Sequence, residues 1–141
     1  MSKYTSKSRL ADTFLVPAIT GATAAVATMA IAGDSRSVMN LFGMDLATPL
    51  AIGVTATGAS LLGEVIGNWA LPYIPGNYRS AQTEKLAIKP VATGAAHVGL
   101  MKFAAPEAAA QAGLTRAFGI GAGSEVVGRY GADFIRPMLT R

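Results

Sequence analysis

The chain has 141 residues, of which 51% are hydrophobic and 14% are charged, and 16 of them are glycine. Soluble domains usually carry about 25% charged residues, and so few charges with so many small residues favour closely packed helices in a membrane. The absence of cysteine excludes disulfides and thiolate metal sites, and the net charge of +4 comes without the basic, aromatic-rich run of a nucleic-acid groove, so no nucleic acid is expected as a partner.

The first predicted element is an apolar helix over residues 13–33, a stretch that contains no charged residue. It follows Lys3, Lys7 and Arg9, much as the apolar part of a signal peptide follows basic residues. That part of a signal peptide is usually about 7–15 residues long, and this segment is longer. We therefore predict a helix that the mature protein keeps.

The second predicted helix lies within residues 46–74, where Glu64 is the single charged residue. A membrane-spanning helix needs about 20 mostly apolar residues, and the first two segments meet that requirement. After the second segment, the sequence Pro75-Gly76-Asn77 predicts a turn.

The third and fourth apolar segments, residues 86–105 and 114–139, carry more charge than the first two. The third contains Lys89, His97 and Lys102, and the fourth contains Arg116, Glu125, Arg129, Asp133 and Arg136. Because these charges interrupt them, the last two segments are predicted to be less lipophilic. Between the two segments, Pro106 is expected to begin a short helix that Gly113 ends.

Strands are not expected, because no segment alternates apolar and polar residues for long and the alanine content disfavours β structure. The prediction is an all-α fold, a four-helix membrane bundle that forms one compact domain.

An internal repeat relates the two halves of the chain. When the sequence is shifted by 61 residues, "EVIG" at Glu64 meets "EVVG" at Glu125, and Trp69 meets Tyr130. The preceding helices share Pro-x-x-Thr-Gly-Ala, at Pro17 and at Pro90. We infer two duplicated helical hairpins, residues 1–78 and 79–141, in parallel orientation; the alternative is chance similarity between segments rich in alanine and glycine.

The basic residues are unevenly distributed over this topology. One side of a four-segment bundle would carry eight bases, namely Lys3, Lys7, Arg9, Arg79, Lys85, Lys89, Arg136 and Arg141. Trp69 and Tyr73 fall near the same side, as interfacial aromatic residues do. The positive-inside rule then predicts that both termini lie on the cytoplasmic or equivalent side of the membrane.

Two pairs of small residues predict helix-packing faces. Gly63 and Gly67 are four residues apart, as are Ser124 and Gly128, and such pairs let a neighbouring helix approach closely.

Glu64 and Glu125 lie beside these small residues. A carboxylate in hydrocarbon is costly unless it is paired, protonated or at the interface. One hypothesis is a structural ion pair that locks the hairpins together; the candidate partners are His97, Arg129, Lys89 and Lys102. The other is a relay for protons or cations.

No pattern in the sequence indicates catalysis. His97 is the single histidine, so a metal site is not expected. "GAGSE" is not the Gly-x-Ser-x-Gly of a hydrolase, and "GIGAG" lacks the strand and the lysine of a phosphate-binding loop. We predict no catalytic residue, no cofactor and no enzyme activity.

In its overall character, a short Ala/Gly-rich chain without cysteine and with the basic start "MSKYTSKSRLADTFLVP", the protein resembles small membrane-associated structural proteins of icosahedral double-stranded DNA viruses with an internal membrane. The resemblance implies a minor capsid protein in the virion membrane, whose partners are the lipid bilayer and a larger assembly that includes copies of itself. The alternatives are a small channel, carrier or proton-translocating subunit, and a soluble oligomeric helical protein.

Overall fold

The computed structural model describes residues 6–32, 38–78 and 80–139, and in this part the chain is mostly helical. In chain order the elements are α1 (Ser6–Ala32), β1 (Val38–Leu41), β2 (Met44–Ala47), α2 (Thr48–Ala70), α3 (Ala81–Thr83), α4 (Lys89–Ala104), α5 (Pro106–Ala112) and α6 (Leu114–Leu139). The four long helices coincide with the four apolar segments of the sequence.

The four long helices pack as a bundle in which each helix packs mainly against two neighbours in the cyclic order α1, α2, α4, α6, and α2 and α6 also contact each other across the bundle. Gly21 lies against Thr57 while Ala25 lies against Gly53, so α1 and α2 run antiparallel. The other neighbouring pairs run antiparallel in the same way. The start of α1, residues 71–88 and the end of α6 therefore lie together, at what we call the terminal end; β1, β2 and α5 lie at the opposite, hairpin end.

The prediction that strands are absent was wrong for one short stretch. β1 and β2 form an antiparallel hairpin in which Val38 is opposite Ala47 and Leu41 is opposite Met44. Each strand has four residues, which is too short to produce the extended alternation from which strands are recognised.

The turn of this hairpin has a local cause. Phe42 and Gly43 both have positive φ, 53° and 83°, as the tight two-residue hairpin turns with the right twist require. The side chain of Asn40 accepts a hydrogen bond from the Gly43 N–H at 3.0 Å and donates one to Asp45 at 3.1 Å. The Phe42 N–H donates to the Ala104 carbonyl at 3.0 Å, and this bond holds the hairpin against the end of α4.

The connections at the terminal end are short turns. Two 3₁₀ turns, Leu71–Tyr73 and Gly76–Tyr78, follow α2, and a π-helical turn, Glu84–Ile88, leads directly into α4. At the hairpin end, Pro106 is the first residue of α5 and Gly113 follows its last residue with φ of 85°. The predicted start and end of this short helix are confirmed.

The bundle buries several large polar side chains and exposes many large apolar ones, a distribution that we call its reversed polarity. The largest fully buried side chains are Lys89, Met101, His97, Glu125, Thr20, Thr93 and Ser60. Much of the remaining interior is alanine, glycine and other small residues. Large apolar side chains are instead exposed along the outer faces of the helices, among them Phe14, Val26, Leu50, Val54, Leu62, Ile66, Val91, Val127 and Phe134.

Two helical stretches are long and apolar enough to cross a membrane, Thr13–Ala30 and Thr48–Tyr73, each with a mean hydropathy of 1.5. The core helix of a soluble protein passes the same test, but such a helix is mostly buried. Here 33% of the first stretch and 44% of the second are buried, and the first lies near the N-terminus, where a signal sequence also passes this test.

Candidate functional site

Glu125 is the centre of a buried polar site that joins three helices. It lies in the middle of α6, its side chain is completely buried, and it reaches toward α1 and α2. Its Oε2 accepts hydrogen bonds from Thr20 at 3.0 Å and from Ser60 at 2.7 Å. Its Oε1 accepts from the Nε of Arg129 at 3.0 Å, and the Nη2 of Arg129 lies 2.9 Å away.

The contacts of Glu125 come from three helices. A hydroxyl or a guanidinium N–H lies within hydrogen-bond distance of each carboxylate oxygen. Hydrogen bonds to a charged group are about twice as strong as neutral ones, and three helices contribute them here. The site therefore ties α6 to α1 and α2.

Glu64 lies one helix away in a more open position, with 48% of its side chain exposed. Its Oε2 forms a short ion pair with the Nη2 of Arg129, and its Oε1 lies 3.2 Å from the Nζ of Lys89. Arg129 thus bridges the two glutamates of the repeat. Of the four partners predicted from the sequence, the structure brings Arg129 and Lys89 to Glu64.

Lys89 is the first residue of α4 and is completely buried. Its Nζ donates to the Asn68 side-chain carbonyl at 2.6 Å and to the Glu64 backbone carbonyl at 3.2 Å, and it lies 3.9 Å from Glu84. The π-helical turn before α4 carries Glu84, so this ammonium group fastens the connection at the terminal end to the last two turns of α2.

The other two predicted partners lie elsewhere. Lys102 is exposed near the end of α4, about three and a half turns beyond Lys89. His97 is completely buried in the middle of α4. Its Nδ1 donates to the Ala117 carbonyl at 2.7 Å, since a carbonyl can only accept, and its Nε2 lies 3.0 Å from the hydroxyl of Thr55. His97 therefore links α2, α4 and α6, not a glutamate.

The predicted packing residues lie where helices approach each other most closely. A Cβ added at Gly63 would lie 2.3 Å from the hydroxyl of Thr93, and one at Gly67 would lie 2.8 Å from the side chain of Lys89. A Cβ added at Gly128 would lie 2.2 Å from the hydroxyl of Thr20. Ser124 is also buried. Gly63 and Gly128 therefore have no room for a larger side chain, because backbone atoms of the neighbouring helix lie about 3 Å or less from the added Cβ.

Equivalent positions of the two repeats make equivalent contacts. Gly21 meets Thr57, and its counterpart Gly94 meets Phe118, the counterpart of Thr57. Likewise, Gly128 meets Val16 on α1, whereas its counterpart Gly67 meets Lys89, the counterpart of Val16 on α4. This is the arrangement that two duplicated hairpins packed about a pseudo-two-fold axis would produce.

The aromatic and basic residues predicted for one membrane interface are only partly described. Trp69 and Tyr73 are 70% and 76% exposed, with ring centroids 5.6 Å apart at the terminal end. Lys3 and Arg79 lie outside the described residues. Lys7, Arg9 and Lys85 lie in helical backbone whose side chains are not described.

Sequence reasoning missed four residues of the site: Thr20, Ser60, Asn68 and Glu84. Thr20 belongs to the Pro-x-x-Thr-Gly-Ala motif, which was noted for its repetition and not for its hydroxyl. Ser60 is one helical turn before Glu64, but nothing in the sequence relates it to Glu125. Among residues 6–32, 38–78 and 80–139, the structure contains no cluster of His, Asp or Glu side chains that could hold a metal ion.

In comparisons with known proteins, no family model, no curated protein and no solved structure matches this chain.

Proposed function

We propose that the protein is an integral membrane protein with a structural role, whose four-helix bundle ties a lipid bilayer to a larger protein assembly. The observation that carries the proposal is the reversed polarity of the bundle. Soluble proteins rarely bury a lysine and a glutamate, together with a histidine, while exposing so many large apolar side chains. In a bilayer the same distribution is stable, because lipid tails cover the apolar faces while the charges pair inside.

The charged residues of the second hairpin support four spans. Between Lys89 and Lys102 on α4, and between Arg116 and Arg129 on α6, the only ionisable residues are His97 and Glu125, and both are completely buried. The outer faces are therefore uncharged over about 20 Å. A bilayer core is about 30 Å thick. At one end of this stretch Lys89 and Arg129 are paired inside the bundle, and at the other end Lys102 and Arg116 are exposed and long enough to reach the interface by snorkelling.

The polar site supports a structural role over ion translocation. Both oxygens of Glu125 are engaged by side chains from three helices, as in a structural link between helices. Glu64 is shared by two cations. The network thus acts as a fastening between helices, together with the close approach of the helices at Gly63, Gly67 and Gly128.

The nature of the assembly is a further part of the proposal. The resemblance in sequence character suggests a viral capsid with an internal membrane, in which the chain would sit with copies of itself and other capsid proteins. Under the positive-inside rule, the terminal end would face the cytoplasm or its equivalent. At the hairpin end, Phe42 and Phe103 expose apolar surface beyond the bundle, where a protein lying on the bilayer would make contact.

Extraction tests the membrane part of the proposal. The full chain, expressed in cells, should stay in the membrane pellet after washing at alkaline pH and should enter solution only with detergent. Recovery of a monodisperse protein without detergent would instead support a soluble oligomer. Flux measurements test the role: vesicles containing the protein should conduct protons no faster than empty vesicles, and proton flux abolished by Glu64→Gln would favour translocation.

A further inference from the structure

His97 is a buried titratable group that the network around Glu125 does not use. It is the only histidine of the chain, and it is completely buried in the middle of α4. Its two ring nitrogens join α4 to α2 and α6. A ring nitrogen of histidine is a donor when it carries a proton and an acceptor when it does not. The two contacts of the ring therefore determine which protonation states fit the site.

The contact with α6 fixes one proton of the ring. The Nδ1 of His97 lies 2.7 Å from the backbone carbonyl oxygen of Ala117. A carbonyl oxygen can only accept a hydrogen bond, so Nδ1 carries a proton in every state that keeps this contact. The neutral ring is therefore the tautomer with its proton on Nδ1, and its Nε2 has a free lone pair.

The contact with α2 fits both forms of the other nitrogen. The hydroxyl of Thr55 lies 3.0 Å from the Nε2 of His97 and 3.0 Å from the backbone carbonyl oxygen of Ile52. A hydroxyl has one hydrogen and two lone pairs, so it can donate to only one of these two groups. When it donates to Nε2, the ring is neutral. When it donates to Ile52, its oxygen can accept from a protonated Nε2, and only the O–H bond has to rotate between the two arrangements.

His97 has no ion-pair partner in the described part of the chain, since none of the ion pairs there includes it. The elements packed against α4 are α2, α5, α6 and the π-helical turn. The described charged residues of α4 and of these elements are Glu64, Glu84, Lys89, Lys102, Glu107, Arg116, Glu125, Arg129, Asp133 and Arg136.

Two of these charged residues lie near the level of His97 on α6. Arg116 is the neighbour of Ala117 and is exposed. Glu125 is one helical turn beyond Gly121, where an added Cβ would lie 2.7 Å from the Cβ of His97. The oxygens of Glu125 are already bound by three other side chains. A positive charge on the ring would therefore be buried without a paired carboxylate.

We propose that His97 is a pH-sensitive switch at the junction of α2, α4 and α6. At neutral pH the ring is neutral and accepts from Thr55. On acidification Nε2 takes a proton from water and donates to Thr55, whose hydroxyl turns to Ile52. Both hydrogen bonds of the ring survive, but the unpaired buried charge is costly, so the three helices hold together less tightly. The inference concerns helix packing and does not depend on a membrane location.

The direction of the pH effect follows from where the charge is costly. In the unfolded chain a histidine is in water and takes up a proton near pH 6.5. Below that pH the unfolded state binds more protons than the folded bundle, in which the charge is buried. The free energy of unfolding should therefore fall as the pH falls through about 6.5.

Nuclear magnetic resonance of ¹⁵N-labelled histidine in the full chain reports on His97 alone, because the chain has no other histidine. In detergent micelles at neutral pH, we expect a protonated Nδ1 and an unprotonated Nε2. On acidification, Nε2 should become protonated before the helical circular dichroism signal is lost.

Variants at His97 and Thr55 test the consequence for stability. His97→Asn keeps a donor for Ala117 but cannot take up a proton, and the carboxylates titrate alike in both proteins. Between neutral pH and about pH 5, the unfolding equilibrium constant of the wild type should rise about tenfold more than that of His97→Asn. Thr55→Val removes the acceptor of the charged ring and should be more acid-sensitive than the wild type, whereas Thr55→Ser should match it.

Each other outcome overturns a stated part. A proton on Nε2 instead of Nδ1 at neutral pH refutes the contact with Ala117, and two protonated nitrogens at neutral pH refute the neutral state. Loss of helix before Nε2 is protonated, or equal acid sensitivity of the wild type and His97→Asn, refutes the switch. A Thr55→Val variant that is no more acid-sensitive than the wild type refutes the role of the Thr55 hydroxyl.

Discussion

Thr20 and Thr93 occupy the same position in the two Pro-x-x-Thr-Gly-Ala motifs, and both are completely buried, but among the described residues only the hydroxyl of Thr20 forms a hydrogen bond. The hydroxyl of Thr20 donates to Glu125 at 3.0 Å. In the described part of the chain, the hydroxyl of Thr93 has no hydrogen-bond partner. Its counterpart acceptor would be Glu64, which instead turns outward to Arg129 and Lys89. The two matched segments of the sequence therefore differ in structure at this point.

This difference predicts opposite effects for the same substitution. Thr20→Val should lower the free energy of unfolding by about 1–2 kcal/mol, because a buried carboxylate loses one of its donors. Thr93→Val should be neutral or stabilising, since it replaces an unpaired buried hydroxyl with a methyl group of similar size. Unfolding in detergent micelles, followed by circular dichroism, measures both. Equal losses for the two variants would show that the hydroxyl of Thr93 is bonded after all.

The two glutamates should differ in the same assay. Glu125→Gln should destabilise the bundle by about 3 kcal/mol, because it breaks a buried pair and faces an amide NH₂ toward existing donors. Glu64→Gln should lower stability by less than about 1 kcal/mol, because its side chain is half exposed and its ion pairs are partly screened. A larger loss of stability for Glu64→Gln than for Glu125→Gln would show that Glu64, and not Glu125, makes the more important contacts between helices.

Close helix approach predicts opposite effects of alanine at two glycines. Gly63→Ala should lower stability by about 1–3 kcal/mol through overpacking, because the new Cβ would lie within 3 Å of backbone atoms of Thr93. Gly123→Ala is the matched control, since its Cβ would meet nothing within 4 Å. Alanine is the better helix former by about 1 kcal/mol, so this variant should be slightly more stable. Tolerance of Gly63→Ala would mean that α2 and α4 are further apart than described.

The two lysines of α4 provide a further matched pair. Lys89→Met should lower stability by about 1.5–3 kcal/mol, because the charge-assisted hydrogen bonds to Asn68 and to the Glu64 backbone carbonyl are lost together with the ion pair to the Glu64 side chain. Lys102→Met, on the exposed side near the end of the same helix, should change stability by no more than about 0.5 kcal/mol. Thermal unfolding of both variants in one detergent gives the comparison, and similar losses would contradict the burial of Lys89.

The positions of the helices could be predicted from the sequence because they depend on local features, namely long apolar segments and the proline and glycine residues at helix ends. Length and composition located the four long helices, and Pro106 and Gly113 bounded the short helix α5 as the structure has it. The hairpin was missed, because four-residue strands have no periodicity to detect and their turn depends on a phenylalanine with positive φ, which is uncommon for that residue type.

The partners of the charges were less predictable. The sequence offered four possible cationic partners for Glu64. Arg129 and Lys89 pair with it because the packing of the helices places them at the same level of the bundle as Glu64. His97 is held two turns away by Ala117 and Thr55. The donors to Glu125 come from residues 105 and 65 positions distant in the chain, and no local pattern relates residues so far apart.

The sequence by itself determined where the four long helices lie and which of their faces are small enough to pack, and it indicated a repeat between the two halves. Only the tertiary structure decided that Glu125 is buried and Glu64 is half exposed. Both glutamates stand in the same Glu-Val-x-Gly context, so local sequence cannot distinguish them. Burial of a carboxylate depends on whether other helices supply donors, and Thr20, Ser60 and Arg129 meet at Glu125 only after the bundle has formed.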